Sequence, residues 1–378
     1  MGDKMTKVKR KKFSIKKTLR IIIPFIILLT LIINIKKIVV FTQSKITGYE
    51  YKTTQVFHEL NIYKDIKTHK YSNTLAKIIE TDNFKKEYLN NYLDINYNNN
   101  DSDFLKNINT LLDTGYNSND INKIYETLSL DSINLLLENA YLNHIFDILN
   151  LNYFHEELLS RYITYASKME LNYEDIITYV NIGLDHNYYS DIVKIDNPDN
   201  ILVLVNKYHS LSKDYVPKDL EAINSKYNKG DNNKLRHEAR IAFEEMCESA
   251  LKDNIKIYSG SAYRSYSYQA NLYNYYVNID GKNKADTYSA RAGSSEHQTG
   301  LATDILNSKL DYISASDKEY TWLVNNSYKY GYILRYPLNK EKITGYMYEE
   351  WHYRYVGKDI AKKIYDKEIT YDEYIART

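Results

Sequence analysis

Two short stretches in the C-terminal third of the chain contain residues that could do chemistry together. His297 and Asp304 lie seven residues apart with Gly300 between them, and His352 follows 48 residues after Asp304. Glu349 lies three residues before His352. Two imidazoles and a carboxylate are a common ligand set for a catalytic zinc ion, and a nearby carboxylate that binds no metal can act as the base. This inventory predicts a zinc-dependent hydrolase.

The spacing of the first two ligands requires a turn between them. Seven residues of helix would separate His297 and Asp304 by about 10 Å along the axis, too far for a shared ion. Glycine adopts left-handed backbone angles at little cost. We therefore expect His297 on a loop, a turn at Gly300, and then a strand that carries Ala302 and Asp304 on one face.

Four segments of the chain follow one another in an order that a known enzyme family shares. They are residues 204–220, 259–269, 295–304 and 349–352. The third has the pattern S-x-H-x-x-G-x-A-x-D, the fourth E-x-W-H, and the second is similar to SGYRSYxxQ. Together they resemble the zinc D,D-carboxypeptidases and dipeptidases related to VanY, which trim peptidoglycan stem peptides. The resemblance covers roughly residues 201–378 and does not extend to residues 42–200.

The resemblance implies a role for each residue of the two chemical stretches. His297, Asp304 and His352 would bind Zn²⁺. Glu349 would be the general base that takes a proton from the attacking water and later passes it to the departing amine. The implied reaction is hydrolysis of the terminal D-Ala-D-Ala bond of a stem peptide.

Three further residues are assigned through the same resemblance. Arg264 would stabilise the oxyanion that develops on the scissile carbonyl, or would hold the terminal carboxylate of the substrate. Ser295 and Gln269 would contact the substrate, although Ser295, two residues before a ligand, could instead support the loop.

Several alternatives stay open from the sequence. The enzyme could be a dipeptidase or an endopeptidase that cuts elsewhere in the stem peptide. It could also be a catalytically idle wall-binding module, although such a module has no need of Glu349. A third alternative places the main function in an interaction made by residues 42–200. Oligomeric state is not indicated.

Composition excludes some other classes of function. The chain has 378 residues, enough for two domains, and a net charge of +1, which argues against a dedicated nucleic-acid binder. Cys247 is its one cysteine, which excludes an internal disulfide and a cysteine-rich metal site.

The N-terminus predicts a membrane anchor. Residues 1–20 contain nine lysines and arginines against one acid, and residues 21–35 are uncharged and almost wholly apolar. If Lys36 and Lys37 snorkel, residues 21–41 form a helix of about 31 Å, which matches a bilayer core. The basic tail places the N-terminus in the cytoplasm and the rest of the chain outside. A cleaved signal peptide is the alternative, but no small-x-small site follows the apolar run.

Residues 42–200 predict a helical region. Only three glycines occur there, and apolar residues recur at three- and four-residue spacing. Tyr116, Tyr153 and Tyr173 each precede an acidic residue and an apolar one, but at spacings too irregular to define a repeat family. We therefore expect a bundle or short array of helical hairpins, acting as a stalk or as a partner-binding module. The turn at 197–200, Asn-Pro-Asp-Asn, is the expected domain boundary.

Residues 201–378 predict an α+β domain with a small mixed or antiparallel sheet flanked by helices. Strands are expected at 201–205, 255–258, 301–306 and 351–355, and helices at 233–253, 266–277, 318–330 and from residue 358.

Overall fold

The computed structural model describes residues 15–231 and 233–378. The chain forms two compact units, which divide between Leu149 and Asn150. Residues 150–200 thus belong to the second compact unit. The boundary at 197–200 and the stalk of residues 42–200 stay predictions.

The first unit is helical throughout its described residues. Its helices are α1 (Ile15–Thr47), α2 (Tyr51–Glu59), α3 (Tyr63–Ile66), α4 (Asn73–Ile78), α5 (Leu89–Asp94), α6 (Phe104–Thr114), α7 (Ser118–Thr127), α8 (Leu130–Glu138) and α9 (Ile145–Ile148). A 3₁₀ turn at Lys86–Tyr88 leads into α5.

Helix α1 contains the segment that we predict to be a membrane anchor. Its part from Leu19 to Thr47 is long and apolar enough to cross a membrane, and its apolar side chains between Ile21 and Val39 are exposed. Beyond that stretch Val40, Ser44 and Thr47 are buried, and α1 packs on α2. Most of the basic tail, residues 1–14, lies outside the described residues.

Helices continue into the second unit, which also contains all the strands of the described chain. The helices are α10 (Leu159–Ala166), α11 (Tyr173–Ile182), α12 (His237–Lys252), α13 (Tyr266–Asp280), α14 (Lys282–Ala285), α15 (Lys318–Asn326), α16 (Glu341–Thr344), α17 (Lys358–Lys367) and α18 (Tyr371–Ala376). Further 3₁₀ turns lie at Glu156–Leu158, Glu296–Thr299 and Ser327–Tyr330.

A set of contacts recurs along the helical region at intervals of about 70 residues. Tyr92 donates a hydrogen bond to Asn109 Oδ1 (2.5 Å), and Asn109 Nδ2 donates to the Asn83 carbonyl (2.5 Å). Later in the chain, Tyr162 donates to Asn181 Oδ1 (2.6 Å), and Asn181 Nδ2 donates to the Tyr153 carbonyl (2.8 Å). Tyrosine and asparagine are abundant throughout the sequence, which hides this period from a reading of the sequence alone.

A second recurring contact supports the same period. The Tyr49 hydroxyl accepts from the Ser72 N–H (2.9 Å), and the Tyr116 hydroxyl accepts from the Leu142 N–H (3.0 Å). Each of these tyrosines follows a glycine with positive φ and packs against another tyrosine, at 4.7 and 4.8 Å between ring centroids. Two kinds of contact therefore each occur twice in the helical region with nearly the same period, which the irregular spacing of its acidic residues did not indicate.

A four-stranded antiparallel sheet organises the rest of the second unit. Its strands are β5 (Tyr258–Ser261), β6 (Ala302–Leu306), β7 (Tyr332–Leu334) and β8 (His352–Tyr355), in the spatial order β5-β6-β8-β7. Two smaller pairs precede it in the chain: β1 (Val193–Lys194) with β2 (His209–Ser210), and β3 (Leu220–Ala222) with β4 (Lys234–Arg236). The α+β class is confirmed.

Helix α12 packs against one face of this sheet. Phe243 and Met246 of α12 are completely buried in a core that also contains Ile305 of β6 and Tyr353 of β8. Side chains alternate along a strand. The residues next to Ile305 and Tyr353 in the sequence therefore point to the opposite face. That face carries Asp304 and His352.

One predicted strand is wrong, strand β5 begins at Tyr258 rather than at residue 255, and one helix also begins later than expected. Residues 201–205 form turns and irregular chain, although Val203 and Val205 are buried. The carbonyls of Ile201 and Val203 accept hydrogen bonds from the buried Arg354 guanidinium at 2.8 and 2.9 Å, so they need no partner strand. Helix α12 begins at His237 rather than at residue 233 because residues 234–236 form strand β4.

Candidate active site

The sheet register places two of the predicted ligands opposite each other. Asp304 on β6 pairs with His352 on β8, and His352 Nδ1 lies 3.1 Å from Asp304 Oδ1. The 3₁₀ turn and Gly300, with a left-handed φ of +68°, return the chain so that His297 Nε2 lies 3.3 Å from the same oxygen. The expected order of loop, glycine turn and strand is confirmed.

His297, Asp304 and His352 form a compact group of buried donors. Each offers one ligand atom, and these atoms lie within 4.8 Å of one another. The Nδ1 of His297 lies 2.6 Å from the Ala262 carbonyl and donates to it, so Nε2 carries the lone pair. Among the described residues this buried Nε2 has no hydrogen-bond partner. An unsatisfied imidazole nitrogen beside a carboxylate and a second imidazole fits a bound metal ion.

The electrostatic environment differs between the two histidines. Burial, aided by Arg264, lowers the pKa of His297 to about 4. Burial also opposes the charge of His352, but hydrogen bonds with Asp304 and Glu296 outweigh it and raise the pKa of His352 to about 9. The carboxylates of Asp304 and Glu296 thus favour positive charge on His352.

Glu349 lies beside the three donors. Its Oε2 is 3.8 Å from His352 Nδ1, and its backbone N–H donates to the Tyr336 carbonyl, which fixes the turn before β8. Its side chain is almost completely buried, and burial is the main reason that the pKa of Glu349 rises to about 7. A carboxyl group with a pKa in this range can both accept and release a proton near neutral pH.

Arg264 lies between the three candidate metal ligands and helix α13. Its Nη2 donates to Asp304 Oδ2 and its Nη1 to Gln269 Oε1, both at 3.1 Å. Its buried Nε has no hydrogen-bond partner among the described residues. Gln269 Nε2 in turn donates to the Ala290 carbonyl (2.8 Å), so Gln269 fixes the orientation of the guanidinium.

Ser295 lines the same cleft. It immediately precedes the 3₁₀ turn that carries His297, and its hydroxyl makes no capping hydrogen bond there. The structure thus brings all seven of the predicted site residues to one open cleft of about 1140 Å³. Aromatic side chains of Tyr268, Tyr276, Tyr312 and Trp351 also line it.

Sequence reasoning did not identify a buried charged group behind the site. Glu296 accepts from Arg335 Nε (2.8 Å) and Arg354 Nη1 (3.0 Å), and Arg335 also pairs with Asp372 of α18. Although burial opposes ionisation, Arg335 and Arg354 hold the pKa of Glu296 well below its usual range. One signal was available: Arg354 lies two residues after His352 on β8, a spacing that puts both residues on one face.

The chain is similar in sequence to known carboxypeptidases. A profile of the VanY family, described as D-alanyl-D-alanine carboxypeptidase, matches residues 232–358. The putative carboxypeptidase YodJ of Bacillus subtilis is 41% identical over 215 residues, which cover 52% of this chain and 76% of the relative. A D-alanyl-D-alanine carboxypeptidase of Enterococcus faecalis is 34% identical over 192 residues, or 48% of this chain and 67% of the relative.

A solved structure is also similar. The LdcB LD-carboxypeptidase, whose structure was described as revealing the basis of peptidoglycan recognition, has 39% sequence identity and a TM-score of 0.46. The match covers 51% of this chain and 93% of that one. From the extent and identity of the sequence matches, the chain belongs to the VanY family of carboxypeptidases.

Proposed function

We propose that this protein is a membrane-anchored zinc D,D-carboxypeptidase that hydrolyses the terminal D-Ala-D-Ala bond of peptidoglycan stem peptides. The observation that carries the proposal is the buried group of His297, Asp304 and His352 with Glu349 beside it. Membership of the VanY family supports the reaction and the class of substrate.

The donor set supports zinc as the metal. Two imidazole nitrogens and one carboxylate oxygen leave a fourth tetrahedral position open, as catalytic zinc sites do. His297 Nε2, Asp304 Oδ1 and His352 Nδ1 would hold the ion. When bound, zinc supplies Lewis acidity that polarises a carbonyl and makes water more acidic.

Glu349 is assigned the proton transfers. Its Oε2 faces the candidate metal ligands from a largely buried position at the wall of the cleft. We assign it two steps: it accepts the proton of the attacking water, and it then donates that proton to the nitrogen of the departing D-alanine.

Arg264 is assigned the stabilisation of negative charge on the scissile carbonyl. Its two terminal nitrogens donate to Asp304 and Gln269, which hold the guanidinium plane beside the three candidate ligands. A fixed donor of this kind favours the transition state because it need not reorganise during the reaction. Ser295 is assigned a direct substrate contact, and Gln269 supports binding through Arg264.

Residues 21–41 are proposed to anchor the protein, with residues 1–20 in the cytoplasm and the peptidase domain of residues 201–378 outside. The exposed apolar surface of α1 and the basic residues that precede it support this topology. In fractionated cells we expect the intact chain in the membrane, with its peptidase domain accessible to protease added outside. A mature N-terminus beyond residue 41 would show cleavage instead.

The test of the activity is D-alanine release from a synthetic stem pentapeptide ending in D-Ala-D-Ala. The full-length protein in detergent, loaded with zinc, should release D-alanine. Glu349→Ala should bind zinc with wild-type stoichiometry but lose activity by about 10²–10⁴-fold or more, since the general base is absent. His297→Ala should lose both zinc and activity.

A tetrapeptide and the free dipeptide D-Ala-D-Ala serve as comparison substrates. Preference for either over the pentapeptide would replace the D,D-carboxypeptidase assignment by an L,D-carboxypeptidase or a dipeptidase. Full zinc occupancy in His297→Ala would contradict the ligand set. A zinc-loaded wild-type protein that cleaves none of the three would contradict the enzymatic proposal.

A further inference from the structure

Glu296 is a buried carboxylate that has no role in the proposed mechanism. It lies between Ser295 and His297, and its side chain is completely inaccessible to solvent. Oε1 accepts hydrogen bonds from Arg335 and Arg354, and Oε2 faces His352 Nε2 at 3.4 Å. Both oxygens are therefore directed at specific partners, and one of these partners is a metal-binding residue.

The contact with His352 determines which nitrogen of this ring can bind a metal. A neutral imidazole has one N–H and one lone pair, so an acceptor beside Nε2 favours the tautomer whose lone pair is on Nδ1. Nδ1 is the nitrogen that lies 3.1 Å from Asp304 Oδ1. His297 uses the opposite arrangement, because its Nδ1 donates to the Ala262 carbonyl and its Nε2 faces Asp304.

Two arginines fix Glu296 and compensate its charge. A buried carboxylate without a charged partner is strongly disfavoured. Arg354 is itself held by the carbonyls of Ile201, Val203 and Tyr355, and Arg335 is held by Asp372 at 2.6 and 3.3 Å. These contacts leave Glu296 little freedom to turn away from His352.

We propose that Glu296 is a positioning residue, which fixes the tautomer and the ring orientation of His352 so that Nδ1 faces the metal site. Arg335 and Arg354 act through Glu296 by holding its carboxylate in place. The inference rests on the metal site of the proposed function. Carboxylates and carbonyls that accept the second N–H of a ligating histidine raise metal affinity in this way.

The test is the zinc affinity of full-length protein in detergent, measured by competition with a chromophoric chelator. Glu296→Gln keeps the size of the side chain but removes its charge. We expect it to weaken zinc binding by about 10–100-fold. In cobalt(II)-substituted protein we expect an altered visible absorption spectrum, because the spectrum reports the ligand geometry.

Two further variants separate positioning from general loss of stability. Asp185→Asn removes a partly buried carboxylate that pairs with Arg161 and His186 and takes no part in holding Glu296. It should leave the zinc affinity and the cobalt spectrum unchanged. Glu296→Asp keeps the charge opposite the arginines but shortens the reach to His352, so it serves if Glu296→Gln does not fold, and it should also weaken zinc binding.

The outcomes distinguish this inference from the function on which it rests. Wild-type zinc affinity and cobalt spectrum in a folded Glu296→Gln or Glu296→Asp variant would overturn the inference alone. Equal weakening by Asp185→Asn would also overturn it, since the effect would then come from a general loss of stability. If wild-type protein binds no zinc, the proposed metal site is wrong and the inference is overturned with it.

Discussion

The helical region and the peptidase region bury polar groups of different kinds. In the helical region the recurring buried contact is a neutral pair, Tyr92 with Asn109 and Tyr162 with Asn181. Burial raises the pKa of each of these tyrosines to about 12, so the hydroxyls stay uncharged. In the peptidase region, Glu296 and its arginine partners are charged and completely buried.

The difference follows from what each region must do. A neutral hydrogen bond fixes the packing of helices with a modest desolvation cost. A buried charge costs several kcal/mol to desolvate, and paired charges often give little net stability. The charged group lies directly behind His352. There the fixed carboxylate of Glu296 accepts a hydrogen bond from the ring more strongly than a neutral side chain would. The charged group of Glu296, Arg335 and Arg354 thus lies at the site, whereas the recurring tyrosine–asparagine pairs belong to the scaffold.

After Glu349→Ala, removing Arg264 should give the largest effect that is confined to the peptidase region. At saturating zinc, we expect Arg264→Ala to reduce kcat/KM by about 10²–10³-fold, because a fixed donor to the developing oxyanion is lost. Arg264→Lys should recover little of this, since it keeps the charge without the planar fork. Steady-state D-alanine release measures the effect, and a loss of less than tenfold would remove Arg264 from the mechanism.

Two left-handed glycines allow a matched comparison of the regions. Gly300 precedes β6, and a Cβ there would meet Leu220 Cδ2 at 2.6 Å, whereas Gly183 after α11 would meet only the Tyr208 ring at 3.4 Å. Left-handed strain applies to both, but crowding applies to Gly300 alone. Gly300→Ala should lower the free energy of unfolding by roughly 2–3 kcal/mol and weaken zinc binding.

Gly183→Ala is the control for that prediction. It should cost about 1–2 kcal/mol through backbone strain and leave zinc affinity unchanged. Urea unfolding and chelator competition report the two quantities. Equal destabilisation by both substitutions, with equal zinc affinity, would show that the turn at Gly300 has no special role in presenting His297.

Removing the repeated tyrosine hydroxyls should give the smallest effect. Tyr92→Phe and Tyr162→Phe each leave an asparagine oxygen and a backbone N–H without their partner, at a cost of about 1–2 kcal/mol in unfolding free energy. Neither should change kcat/KM. Tyr88→Phe, which removes a hydrogen bond to Asp113 near the surface, should cost less than about 0.5 kcal/mol.

Clearly different losses in Tyr92→Phe and Tyr162→Phe would argue against the equivalence of the two recurring contacts. A fall in kcat/KM in either variant would show that these scaffold contacts also affect the active site.

Local sequence patterns predicted most elements near the site. The apolar alternation around residues 302–306 and 352–355 indicated strands, and helices α13, α15 and α17 begin at the expected residues. The strand expected at 201–205 was wrong. Its apolar residues are buried as predicted, but the segment is irregular and its carbonyls accept hydrogen bonds from Arg354. Hydropathy reports burial, but it does not report the hydrogen-bond partner.

The sequence by itself determined the residue types of the candidate ligands, the glycine turn that brings His297 near Asp304, and the candidate base Glu349. These depend on residue identity and short spacing. Only the tertiary structure decided that Asp304 lies opposite His352, that Gln269 holds Arg264, and that Glu296 faces the second nitrogen of His352. Those relations join residues that are distant in the chain, because strand register and burial place them together, and no local pattern encodes either one.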